Sequence, residues 1–327
     1  MPATPSSMHL PTLRAAARRW SAAVCMGLCA GLAAGSAAGA VTVLLGDALP
    51  AHAEFARALR EGAEPGGTAN DDDRSVVAGV RTRSLRNAAS PGDAPVTVAV
   101  GAAASRSAIE RAGHEPLLLA MLSRLDYESL RSHPALRRGD RRVGVLLRDP
   151  AVADTLALID AVLPQKRRLG VVTTVEAEPL LRELQRAAVG WELQIQYAPD
   201  ASALATALRT VVLVSDALLV LPDAVGDNQA ATLAVLRAAA AAGLPVFGSS
   251  DGLVRSGGLA ATVSTPAQLA LQARALCERL ASGGAGSATL IETASPATVR
   301  VNQQVARGLG LRLPDERELG RRISALR

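Results

Sequence analysis

From Val41 onward, short apolar runs alternate with longer stretches whose apolar positions recur every three to four residues. The short runs read as buried strands and the longer ones as amphipathic helices. In the first series, strands are predicted over 41–45, 96–100 and 116–121, with a further strand over 75–80. Helices are predicted over 52–64 and 103–112, a polar turn over 65–75 and irregular chain over 81–95. A second series starts near Arg142, with strands over 143–147, 169–172, 193–197, 217–221, 245–247, 259–263 and 298–301. Helices over 152–163, 176–189, 202–209, 229–242 and 266–281 separate them. Strands alternating with helices predict parallel sheets covered on both faces, and two such series predict two Rossmann-like α/β lobes. The charged segment 132–142 is the expected crossing between them.

Ligands of parallel α/β sheets sit beyond the carboxyl ends of the strands, where helix N-termini offer free N–H groups. The loops at those ends are small and polar: 46–50, 101–105, 123–124, 173–174, 222–225 and 248–251. They supply the candidate ligand-binding residues Asp47, Ser105, Thr174, Asp223, Ser249 and Asp251. The competing role for each is to cap the helix that follows.

Residues 1–40 break the pattern. Arg14, Arg18 and Arg19 precede an uncharged run from Trp20, and Ala38-Gly39-Ala40 stands directly before Val41. This three-part pattern predicts a signal peptide and a periplasmic mature protein. The competing form is an uncleaved membrane anchor, for which the Ala- and Gly-rich run is poor material. The charge changes accordingly. The whole chain of 327 residues carries 35 Lys+Arg against 30 Asp+Glu, a net +5. Without the leader the count is 32 against 30, a net +2. Cys25 and Cys29 leave with the leader, so Cys277 is alone, at an apolar position of the helix over 266–281, where a small buried hydrophobe is expected. Aromatic residues are 2% of the chain, and no basic run is interleaved with them, which argues against nucleic acid and against sugar stacking.

Catalytic patterns fail on inspection. Gly248-Ser249-Ser250-Asp251-Gly252 matches G-x-S-x-G, yet no histidine occurs after His133 and no helix is expected next. There is no phosphate-binding glycine loop. Asn70-Asp71-Asp72-Asp73 lacks the glycine and distal glutamate of a calcium loop, and His52, His114 and His133 share no metal-ligand spacing. His52 is expected on the surface. No enzyme activity, cofactor or metal is predicted.

Several segments resemble a known family. They are Asp216-Ala-Leu-Leu-Val-Leu-Pro-Asp223, Leu244-Pro-Val-Phe-Gly-Ser-Ser-Asp251, the Gly257-Gly258 run, and the tail Val301-Asn-Gln-Gln-Val-Ala-Arg-Gly-Leu-Gly-Leu-Arg-Leu-Pro314. Asp47-Ala-Leu-Pro-Ala-His-Ala-Glu-Phe55 and Val100-Gly-Ala-Ala-Ala-Ser105 fit the first and third strand-end loops. Leu163-Pro164 with Arg168-Leu-Gly-Val-Val172 fits the second lobe. Together they resemble the ABC-transporter substrate-binding proteins of the tryptophan/tyrosine-binding type. The resemblance implies a type I periplasmic-binding-protein architecture, with lobes of 41–125 plus 252–290 and of 140–250 plus 291–327, the first shortened between 65 and 95. It also implies a small, amino-acid-like ligand, with Asp223 and Asp251 facing an ammonium group, and an inner-membrane permease as partner. The alternative, suggested by the short first lobe, is a binding or sensor accessory coupled to a membrane receptor or an outer-membrane uptake system.

Overall fold

The computed structural model describes residues 41–46, 49–61, 76–77, 80–85, 96–111, 113–137, 141–283, 289–295 and 297–325. The leader, Asp47, the polar turn 65–75 and Asn70–Asp73 lie outside the described residues.

The strands are β1 (Val41–Leu45), β2 (Val76–Val77), β3 (Val80–Leu85), β4 (Val96–Val100), β5 (Leu117–Leu122), β6 (Val143–Pro150), β7 (Arg168–Thr173), β8 (Glu192–Tyr197), β9 (Ala217–Leu219), β10 (Val246–Gly248), β11 (Ala260–Val263), β12 (Leu290–Ala294) and β13 (Thr298–Val301). They form two sheets, in the orders β12-β6-β5-β4-β1-β3-β2 and β13-β11-β10-β9-β7-β8. The central pairs are parallel. Antiparallel strands close one edge of each, β3 against β1 and β13 against β11. All six side chains of β5 are buried, as continuous burial on both faces requires.

Helices cover both faces of each sheet. On the first, Phe55 and Leu59 of the helix Pro50–Glu61 pack with Leu276 and Leu280 of the helix Pro266–Ala281. Ala108 and Ile109 of the helix Gly101–Glu110 pack with Tyr127 and Leu130 of the helix Arg124–Leu130 on the opposite face. On the second sheet, Ile159, Leu184 and Ile323 cover one face, and Val211, Val235 and Ala239 the other. Each large buried side chain contributes about 1.5–3 kcal/mol. Cys277 lies in the first of these cores, and burial pushes its thiol up to about 12, as suits a small hydrophobe.

The sheet membership departs from the expected lobes. β6, placed by sequence in the second lobe, hydrogen-bonds to β5 in the first sheet. β11, placed in the first lobe, lies in the second sheet beside β10. β12 was not expected as a strand; its mixed Leu-Ile-Glu-Thr-Ala pattern shows no clear alternation, and pairing with β6 decides it. β3 occupies chain expected to be irregular. Segment 132–142 is not a crossing: Ala135 and Leu136 of the short helix Pro134–Arg137 pack on the first lobe.

The chain instead passes between sheets three times, after β6, between β11 and the helix Pro266–Ala281, and between β12 and β13. Hydrogen bonds tie these crossings together. The Thr155 and Thr262 hydroxyls lie 2.6 Å apart, buried. Gln268 Nε2 donates to Thr298 Oγ1 at 2.9 Å, and Gln272 Nε2 to the Thr293 carbonyl at 2.9 Å.

Candidate functional site

The first two crossings border a cleft whose walls include the carboxyl ends of strands from both sheets. It holds a cavity of about 530 Å³. Ala51, Met121, Arg148, Asp149 and Leu269 line it from the first lobe, and Val220–Pro222, Gly226, Asp227, Ser249–Asp251 and Arg300 from the second. Ser264 and Thr265 enter from the second crossing.

The local backbone is built to open this space. Met121 adopts φ 61°, a left-handed conformation that costs a residue with a Cβ energy, and sits where the β5–β6 register shifts. The slip turns the end of β5 into the cavity wall. At the end of β4, Gly101 has φ 82°, and a Cβ there would fall 2.5 Å from the His52 ring. His52 is therefore not the expected surface histidine; it is 4% exposed, packed over that glycine.

The six sequence candidates separate. Ser249 and Asp251 stand together on the cavity wall. Asp251 is already ion-paired with Arg255 and lies 3.6 Å from Arg300. Asp223 is buried at 1% exposure behind the wall. Its carboxylate accepts from the Thr173 hydroxyl and from the Val225 and Gly226 backbone N–H groups at 3.0 Å. Asp223 thus shapes the loop after β9 and is not brought to the cavity. Ser105 is wholly buried within the helix Gly101–Glu110, and Thr174 is buried ahead of a 3-10 turn, both away from the cavity. Asp47 is outside the described residues. A short helix, Asp251–Arg255, does follow β10, against expectation, and Ser250, the serine at the centre of the G-x-S-x-G match, caps it by accepting from the Leu253 N–H; no histidine follows it in sequence.

Sequence reasoning missed Arg148, Asp149, Asp227, Ser264 and Arg300. The strand-end rule would have reached Arg148-Asp149-Pro150, had β6 been read to its full length. Arg148 is loosely held, 3.7 Å from Asp149 and 3.8 Å across the cleft from Asp227. Burial, against the Arg148 charge, pushes the Asp149 carboxyl up to about 6. Burial also raises Asp227. Outside the cavity, Arg124 of the first lobe grips Glu183 of the second through Nε at 3.1 Å and Nη2 at 2.9 Å. Among the described residues, the lining of the large cavity has three carboxylates, two guanidiniums and no aromatic ring. Among the described residues, no group of three or more His, Cys, Asp or Glu could hold a metal ion.

A family model described as "ABC transporter substrate binding protein" matches residues 137–318. No curated protein matches the chain. Among solved structures, a ligand-free, open substrate binding protein with adhesive properties from Clostridium difficile is 17% identical, with TM-score 0.63, covering 84% of this chain and 95% of its own. An ABC domain in complex with L-Trp from Streptococcus pneumonia is 16% identical, with TM-score 0.52, covering 83% and 95%. A conserved domain protein from Vibrio cholerae is 20% identical, with TM-score 0.51, covering 71% and 77%. At these identities the likeness carries the fold, which is of the type I periplasmic-binding-protein kind.

Proposed function

The chain belongs to the ABC transporter substrate binding protein family, and from that premise we propose that it captures a small polar, amino-acid-like solute between its lobes for an ABC-type importer. The observation that carries this reading is the cavity of about 530 Å³, lined from both sheets and by the first two crossings. A solute there touches both lobes at once, so binding favours the closed arrangement over the open one. The lining pairs carboxylates with guanidiniums, which suits a ligand bearing both charges; Arg148 is loosely paired and available to a carboxylate. Among the described residues the lining offers no aromatic face, which disfavours a stacked sugar or a large aromatic ring.

Proteins of this family act outside the cytoplasm, and among the described residues no helix is long and apolar enough to cross a membrane. Export through residues 1–40 and delivery to an inner-membrane permease are part of the proposal. A thermal-shift screen of the full chain against amino acids, amines, organic acids and small sugars tests it. A rise in melting temperature with at least one class is expected. A flat response throughout would overturn the reading.

A further inference from the structure

Asp149 is unlike the other acids of the cleft. It sits one residue before the end of β6, at the first crossing, and faces two spaces. One is the large cavity; the other is a small pocket of about 30 Å³ whose wall includes Leu147, Val152, Leu180 and Leu219. Its Oδ2 is buried and has no hydrogen-bond partner. Its carboxyl takes one backbone hydrogen bond, from Arg124, and the neighbouring Arg148 lies 3.7 Å from Oδ1. A buried carboxylate oxygen without a donor is costly, and folds ordinarily remove such groups or pair them. Asp223 shows the paired solution on the loop after β9, with three donors on one carboxylate.

We propose that Asp149 holds the protonated amine of the bound solute, so that the ligand class is an aliphatic amine or amino acid and not a simple acid or a neutral sugar. An ammonium group offers three N–H donors on a small cation. Asp149 Oδ2 supplies the charge-assisted acceptor. Ser264 Oγ, buried without a partner on the wall of the same cavity, and Ser249, which lines both spaces, supply hydroxyl acceptors. A metal ion fits poorly, since a single carboxylate with serines lacks the ligand set a hard cation needs. The cost of the unpaired carboxylate is recovered when a cation arrives, which makes the empty protein less stable and the loaded one selective.

This inference rests on the reading of the cleft as a solute site. The test uses the full chain and Asp149→Asn, by thermal shift and calorimetry. The probes are the standard amino acids, their decarboxylated amines and their des-amino acids. Amine-bearing members are expected to raise the melting temperature of the wild type while the matching des-amino acids do not. Asp149→Asn is expected to melt higher than the wild type when empty and to bind the same amine roughly 30-fold or more weakly, the scale of a lost buried charge pair. Equal binding of a des-amino acid, or unchanged amine affinity in Asp149→Asn, would overturn the role of Asp149 while leaving the solute reading intact. Failure of Asp149→Asn to fold would also count against it, because a paired structural carboxylate behaves that way. A wild type that answers no member of the panel would overturn both.

Discussion

The loop after β9 and the crossing after β6 each place an aspartate beside the same cleft, Asp223 buried and Asp149 partly buried, and they treat the two in opposite ways. Asp223 is enclosed by Thr173 and by two loop N–H groups. Its loop is tightened at Gly226, where a Cβ would fall 2.0 Å from the Leu221 carbonyl oxygen. Asp149 keeps one oxygen unpaired between a polar cavity and an apolar pocket. The difference teaches that burial and position at a strand end do not make an acid a binding residue. What counts is whether the fold itself has already used its acceptors. A saturated carboxylate holds shape; an unsaturated one waits for a partner.

The comparison breaks most sharply at Asp223. Asp223→Ala should cost about 3–4 kcal/mol, since it strands a buried hydroxyl and two N–H groups; urea unfolding at neutral pH measures it. A loss below about 1 kcal/mol would show that the loop re-forms without the acid.

Asp149→Asn should move stability in the other direction. The folded-state value of about 6 lies above the ordinary carboxylate value of 3.8, so protonation favours the fold. Stability contributed by that proton is complete below about pH 4, is lost as pH rises through 6, and is absent above it. Asp149→Asn should therefore gain on the order of 2 kcal/mol at pH 7.5 and almost nothing at pH 4. Unfolding curves of both proteins across that range check the sign.

Thr173→Val isolates one donor of the Asp223 cluster and should cost about 1–2 kcal/mol, less than Asp223→Ala, because two N–H groups still hold the carboxylate. The smallest effect is expected at the clasp between lobes. Arg124→Gln removes a pair with Glu183 in which both side chains keep about a quarter of their surface exposed, and should cost about 1 kcal/mol. It should nevertheless widen the ligand-free particle in solution scattering, since that pair joins a helix of one lobe to a helix of the other. An unchanged radius of gyration would show that the clasp does not bias closure.

Much of this architecture is legible in the order of residues. The strands at 41–45, 96–100, 143–147 and 169–172 are apolar runs that lie wholly or largely inside the sheets, and the helices between them carry their own apolar stripes. Cys277 reads as core because its neighbours at helical spacing are Ala273, Leu276 and Leu280. The cavity wall at Ser249 and Asp251 follows from the strand-end rule. The boundaries between lobes were not legible, because β6 and β11 look like any other buried strands and only their hydrogen-bonded neighbours assign them to a sheet.

By itself, then, the sequence determined the fold class, the alternation of elements and the end of the sheets at which a ligand would be sought, because each of these depends on local periodicity and on handed strand–helix packing. Only the tertiary structure decided which acid is spent and which is open. Asp149 and Asp223 both follow apolar strands next to a proline, so their local signals are nearly the same. Their difference lies in donors brought from residues distant in sequence: Asp223 gains the Thr173 hydroxyl beside two loop N–H groups, while Asp149 gains the Arg124 backbone N–H and its Oδ2 is left without a partner, and hydrogen-bond satisfaction across such distances exists only once the chain has folded.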